Sequence, residues 1–224
     1  MVDFLLEYFR YFLWVILFGV GCYYFMNRKN NTRLYKPFHL FLIIFTLYFY
    51  WIPQGLDITD EGYVLTKSWF MLHGMWHQNV DMTWGSTLLN GLWLSIAGTP
   101  NVFWARIGYV LIISLITTFS YKTLILNFDK RESFLIATVL GMIAFSGSPQ
   151  TISYQNLPVL AIVTGFFYFI KATKTKKQLQ FVLSGLSISI SVLLRFPNIL
   201  LVGFLFVYFL LKTLYTDVDR NLLK

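Results

Sequence analysis

The chain has a single cysteine, Cys22, in 224 residues. That excludes an intramolecular disulfide and any cysteine-based zinc site. Charge is scarce as well. Only 12% of residues are Asp, Glu, Lys or Arg, about half the share of an ordinary soluble domain. No P-loop and no glycine-rich dinucleotide motif occurs, so nothing points to a nucleotide site. Internal repeats and low-complexity linkers are missing too. The first residues carry Asp3 and Glu7 in place of a basic region, and no small-residue cleavage site follows, unlike a secretory signal. Gly19-Val20-Gly21-Cys22 lacks the leucine that a lipoprotein cleavage box places three residues before its cysteine. Cys22 therefore reads as packing.

Apolar surface is what the chain has in abundance. Hydrophobic residues make up 57% and aromatic residues 20%. This composition predicts an all-α membrane protein, a single transmembrane domain over residues 1–224. The apolar segments are 4–26, 37–53, 101–121, 133–148, 155–171, 178–194 and 199–215. A helix needs about 20 apolar residues to span, so 37–53 and 133–148 are marginal. Thr87 to Ala97 is too short to span and reads as interfacial or re-entrant. About seven transmembrane helices are expected, with residues 54–100 as an outer loop of two interfacial helices between the second and third spans.

The basic residues orient this arrangement. The net charge is +8, from 18 Lys and Arg against 10 Asp and Glu. In a membrane chain such an excess marks cytoplasmic loops, so no nucleic-acid partner is expected. Arg28, Lys29, Arg33 and Lys36 fall in one gap; Lys122, Lys130 and Arg131 fall in another. Lys171, Lys174, Lys176 and Lys177 fill a third, and the tail holds Lys212, Arg220 and Lys224. Seven alternating helices put all fourteen on one side. The N-terminus is then outside and the C-terminus cytoplasmic. The richness in Phe, Tyr, Ile, Asn and Lys suggests an AT-rich genome, and so a multi-pass protein of a bacterial inner membrane.

The loop 54–100 is the one long polar excursion. Asp57, Asp60 and Glu61 lie within five residues, and Asp81 adds a fourth carboxylate. Acids beside a membrane are costly to desolvate, so they tend to be paired or functional. Part of the cluster has a structural reading. Asp57 suits an N-cap, Asp60 and Glu61 a first helical turn, and Gly74 the stop. In that helix Asp60, Tyr63 and Lys67 share a face. Leu65, Trp69 and Leu72 share another, suited to lying on the bilayer. His73 and His77 are spaced to pair on a metal, but they lack a third ligand; beside Trp69, Trp76 and Trp84 they read better as interfacial residues. Arg10, Lys67, Arg106 and Arg195 fall outside the cytoplasmic groups, and the last three lie near the outer surface. Each could snorkel or pair with the loop acids. Together they suit a phosphate group, which arginine holds by charged bidentate hydrogen bonds.

These features resemble the GT-C glycosyltransferases, integral membrane enzymes that use polyprenyl-phosphate sugars and include lipid A aminoarabinose transferases and protein O-mannosyltransferases. The resemblance runs from Gly55 to Tyr109. It comprises Asp60-Glu61-Gly62-Tyr63 opening an interfacial helix, Met71-Leu72-His73-Gly74 ending it, and a second interfacial helix. The small-residue break Ala97-Gly98 and the Ala105-Arg106 pair follow. Leu194-Arg195-Phe196-Pro197 is similar to the family's sixth-helix region.

The resemblance implies sugar transfer from a polyprenyl-phosphate donor to a lipid, glycan or protein acceptor on the outer face. It implies Asp60 as the catalytic aspartate, with Glu61 beside it and Asp81 as the second carboxylate. Some members follow that acid with a phosphate-binding lysine. Met82 and Thr83 stand here instead, which leaves Lys67, Arg106 and Arg195 for the donor phosphate. A divalent metal ion is the one cofactor the reading leaves room for. The chain is shorter than family members, so an incomplete chain or minimal relative is expected. The alternative reading is a non-catalytic membrane protein: a truncated transferase, an assembly partner, or a lipid or solute transporter.

Overall fold

A computed structural model describes residues 36–49, 52, 60–74, 83–98, 101–145, 150–203 and 207. Seven α-helices are described: α1 (Pro37–Phe49), α2 (Asp60–Leu72), α3 (Trp84–Ile96), α4 (Val102–Leu124), α5 (Lys130–Phe145), α6 (Asn156–Thr175) and α7 (Gln178–Leu194). A 3-10 turn, Phe196–Asn198, follows α7, and the chain is helical again from 199 to 203. No strand occurs among the described residues. The all-α class expected from composition is the class observed.

Local chemistry sets the helix ends. Gly74 closes α2 at a φ of 84°, a left-handed conformation that only glycine adopts at no cost. Asn101 caps α4, its side chain accepting from the amides of Phe103 and Trp104. Asn156 fixes the entry to α6. Its side-chain oxygen accepts from the Ser153 amide, and its amide nitrogen donates to the Thr151 carbonyl. Past Leu194, Arg195 turns extended and Pro197 sits in the short 3-10 turn, where its lost amide removes no bond.

Helix α4 is the axis of the bundle. It packs against α1, α5 and α6, and α6 packs on α7. The core joins Leu40, Ile44 and Tyr48 of α1 to Tyr109, Val110 and Ile113 of α4 and to Phe134 and Ala137 of α5. Buried hydroxyls cross between helices. Tyr48 donates to the Gly141 carbonyl at 2.9 Å, and Ser184 donates to the Gly165 carbonyl at 2.9 Å. In an apolar surrounding such bonds each contribute on the order of 1 kcal/mol. Helices α2 and α3 form a hairpin whose second arm touches both α4 and α7.

Among the described residues, helix length supports two of the seven expected spans. Two described helices, α4 with 23 residues and α6 with 20, are long and apolar enough to cross a membrane. At 1.5 Å per residue they reach about 35 and 30 Å, against a hydrocarbon core of about 30 Å. Helices α1, of 13 residues, and α7, of 17, are shorter apolar helices. Segment 37–53 holds the 13 described residues of α1, and segment 133–148 holds most of the 16-residue α5, which begins at Lys130. Segment 4–26 and most of segment 199–215 lie outside the described residues.

Candidate functional site

Glu61 stands in the first turn of α2, directly after Asp60. Its side chain is buried, as is that of Arg106 on α4. The two form a bidentate ion pair, Arg106 Nε to Glu61 Oε1 at 3.1 Å and Nη2 to Oε2 at 2.8 Å. The remaining arm, Nη1, donates to the Ile52 carbonyl at 2.7 Å. One guanidinium thus ties together the chain before α2, the first turn of α2 and the N-terminal part of α4. Pairing with a loop acid was the alternative reading for Arg106, and this geometry is that pairing. Arg106 and Glu61 engage each other, and both face the interior.

A different face of α2 borders open space. Tyr63 is exposed, whereas Lys67 is 8% exposed and lies one turn further on. The Lys67 ammonium donates to Thr83 Oγ1 at 3.3 Å and sits 5.8 Å from the centre of the Tyr63 ring. Thr83 immediately precedes α3, and its carbonyl accepts from the Ser86 and Thr87 hydroxyls at 2.8 and 3.1 Å. Ser86 Oγ also lies 3.1 Å from the Leu194 carbonyl, which draws the end of α7 onto the start of α3. Gly85 makes that approach possible, because its backbone faces the Leu193 carbonyl with no room for a Cβ.

The loop before α6 completes the enclosure. Ser153 and Tyr154 face Tyr63, Lys67, Thr83, Ser86 and Thr87 across a narrow cleft of about 10 Å³, with Val64 and Ile152 as its apolar lining. The Arg195 guanidinium stacks over the Tyr154 ring, 5.7 Å from its centre. The cleft therefore gathers six hydroxyl-bearing side chains, one ammonium group and the N-terminal end of α3, with a second cation over Tyr154. The Ser86 and Thr87 hydroxyls donate to backbone carbonyls, so it is the fixed positive charge of Lys67 and the helix N-terminus that favour an anion here.

The expected site residues separate into three groups. Lys67 lines the cleft, and Arg195 lies over Tyr154, one of its lining residues. Arg106, expected beside them, is held by Glu61 instead. Asp60 is the first residue of α2, three positions before Tyr63 and seven before Lys67, while its side chain lies outside the described residues. Asp57, His77 and Asp81 also lie outside them. His73 donates to the Trp69 carbonyl from Nδ1 at 2.9 Å and lies tilted against that indole, with ring centres 4.1 Å apart. Among the described residues, no three His, Cys, Asp or Glu side chains group as metal ligands.

Sequence reasoning does not single out Thr83, Ser86, Thr87, Ser153 or Tyr154. Only their places beside helix starts signal them, since Ser and Thr collect there for capping reasons alone. No family model, no curated protein and no solved structure matches the chain.

Proposed function

We propose that this chain is a membrane glycosyltransferase of the GT-C type, acting on a polyprenyl-phosphate sugar at the outer face. The observation that carries the reading is the Lys67 cleft. It is an anion-favouring, hydroxyl-lined recess on the same helix that opens with Asp60. Seven residues separate Asp60 from Lys67, about 10 Å along a helix axis, which leaves room for a sugar ring between base and phosphate. In this reading seven helices cross a bacterial inner membrane with the N-terminus outside. The basic gaps lie in the cytoplasm.

The chemistry follows from these positions. The Asp60 carboxylate removes the proton of an acceptor hydroxyl on a lipid, glycan or protein. The freed oxygen bonds to the anomeric carbon as the bond from that carbon to the phosphate oxygen breaks. The bonding pair leaves with the polyprenyl phosphate, so the anomeric configuration inverts. Lys67 and Arg195 offset the charge that gathers on the departing phosphate, a task a divalent ion would share if one is bound. Asp81, two residues before Thr83, is the second acid of the site. Glu61 and Arg106 hold the first turn of α2 in place and do not touch the reacting groups.

The test compares membrane lipids and surface glycans by mass spectrometry in cells making the wild-type chain or Asp60→Asn. The reading expects the variant to stay in the membrane, one sugar to disappear from a glycan, and a polyprenyl-phosphate sugar to accumulate. Full transfer by Asp60→Asn would remove Asp60 from the mechanism.

A further inference from the structure

At the opposite end of α4 from Asn101 the bundle presents a second charged surface. Lys122 lies in the last turn of α4, and Lys130 and Arg131 open α5. Lys171, Lys174, Lys176 and Lys177 lie at the end of α6 and in the link to α7. Lys174 donates through Nζ to the Leu126 carbonyl, so the α4–α5 turn and the α6–α7 link sit side by side. The acids on these turns are Asp129 and Glu132. Seven cations therefore face two carboxylates at one end of the bundle.

Two of the lysines are built into the helix packing. Phe119 of α4 and Phe167 of α6 meet edge to face across the helix interface, 5.8 Å between ring centres. The Lys122 ammonium stands 4.8 Å from the Phe119 ring and the Lys171 ammonium 5.5 Å from the Phe167 ring. Both lysines are half-buried, whereas Lys130, Arg131, Lys174, Lys176 and Lys177 are exposed. An ammonium resting on an aromatic face still has N–H donors directed away from the ring.

We propose that this end of the bundle is a binding site for an anionic glycerophospholipid. The headgroup phosphate is seated by Lys122 and Lys171 on the Phe119–Phe167 pair. The exposed cations raise the local concentration of anionic lipid, and the two ring-seated lysines give the contact a fixed position. The site rests on the membrane reading above but not on sugar transfer.

The test uses the full chain in mild detergent with equal amounts of phosphatidylglycerol and phosphatidylcholine, and native mass spectrometry reads the lipid retained. Phosphatidylglycerol should be retained preferentially, and Lys122→Gln with Lys171→Gln should lower that preference at least about tenfold. Lys176→Gln with Lys177→Gln removes the same charge from the exposed link and should change it far less. Lys122→Arg with Lys171→Arg keeps the charge and should keep the preference, which separates lost charge from lost fold. Equal retention of the two lipids, or equal losses in the two glutamine pairs, would overturn the site. Release of the chain from membranes by alkaline carbonate would overturn the membrane reading and this site with it. Retention without headgroup preference would overturn the lipid site alone.

Discussion

Arg106 grips Glu61 through two hydrogen bonds, across 45 residues of sequence, with both side chains out of contact with solvent. Burying two charges is costly, and the pair holds because the geometry is bidentate and the third donor finds the Ile52 carbonyl. Removing one partner strands the other. Glu61→Gln or Arg106→Met alone should therefore cost about 3–5 kcal/mol. The double variant Glu61→Met with Arg106→Met should recover most of that, short of the about 1–3 kcal/mol for an unsatisfied Ile52 carbonyl. Thermal unfolding in detergent measures all three. Additive losses in the double variant would show that the two side chains act separately.

Lys67 offers a sharper test of the cleft. Its ammonium reaches Thr83 Oγ1 and lies near the Tyr63 ring. Glutamine keeps a hydrogen-bond donor there and removes only the charge. Lys67→Gln should slow transfer from a purified polyprenyl-phosphate sugar on the order of 10²-fold, with the protein as thermally stable as before to within about 1 kcal/mol. Lys67→Arg should retain a substantial part of the rate. Unchanged kinetics in Lys67→Gln would move the donor phosphate out of this cleft.

What could be seen in the sequence was local and periodic. Gly74 as a helix stop and α7 over residues 178–194 come from turn chemistry and apolar runs, and the structure holds both. Tyr63 and Lys67 sharing a face follows from a four-residue spacing. The second interfacial helix was read from Thr87 and begins at Trp84, because an apolar run does not mark a polar first turn. The same cause displaced α5, whose first turn carries Lys130, Arg131 and Glu132. The Glu61–Arg106 pairing and the approach of Ser153 and Tyr154 to Lys67 are tertiary contacts. No spacing rule connects positions 61 and 106, or 67 and 154. The three outer cations looked equivalent in sequence, and only packing separates Arg106 from Lys67 and Arg195.

Trp93 and Trp104 clasp each other across the turn between α3 and α4. Each indole N–H donates to the other residue's carbonyl at 2.9 Å, and the rings stack 4.7 Å apart at 6°. The clasp sets the angle at which the α2–α3 hairpin meets α4. Trp93→Phe removes one donor and part of the stack, and should cost about 1–2 kcal/mol. Trp104→Phe should cost a similar amount. The two bonds share one geometry, so the double variant should cost less than the two single losses combined, with a coupling of at least about 0.5 kcal/mol. Strict additivity in the melting data would mean that the bonds form independently.

Gly91 and Gly185 should respond to alanine with opposite signs. A Cβ at Gly91 would lie 2.8 Å from the Ser68 carbonyl oxygen and 2.9 Å from Leu72 Cγ, where α3 rests on α2. Beside it Asn90 donates to Ser68 Oγ at 2.9 Å. Gly91→Ala must push the two helices apart, at about 1–3 kcal/mol. Lys67 belongs to one helix and Thr83 leads into the other, so the same displacement stretches their 3.3 Å hydrogen bond and opens the cleft. The KM for the donor should rise more than kcat falls. At Gly185 an added Cβ meets nothing within 4 Å, so alanine there should stabilise α7 by up to about 1 kcal/mol through helix propensity. Donor kinetics should stay unchanged. Comparing the two variants by melting temperature and by KM separates a general tolerance of alanine from a specific need for close contact. If Gly91→Ala left KM untouched, the α2–α3 contact would not set the width of the cleft.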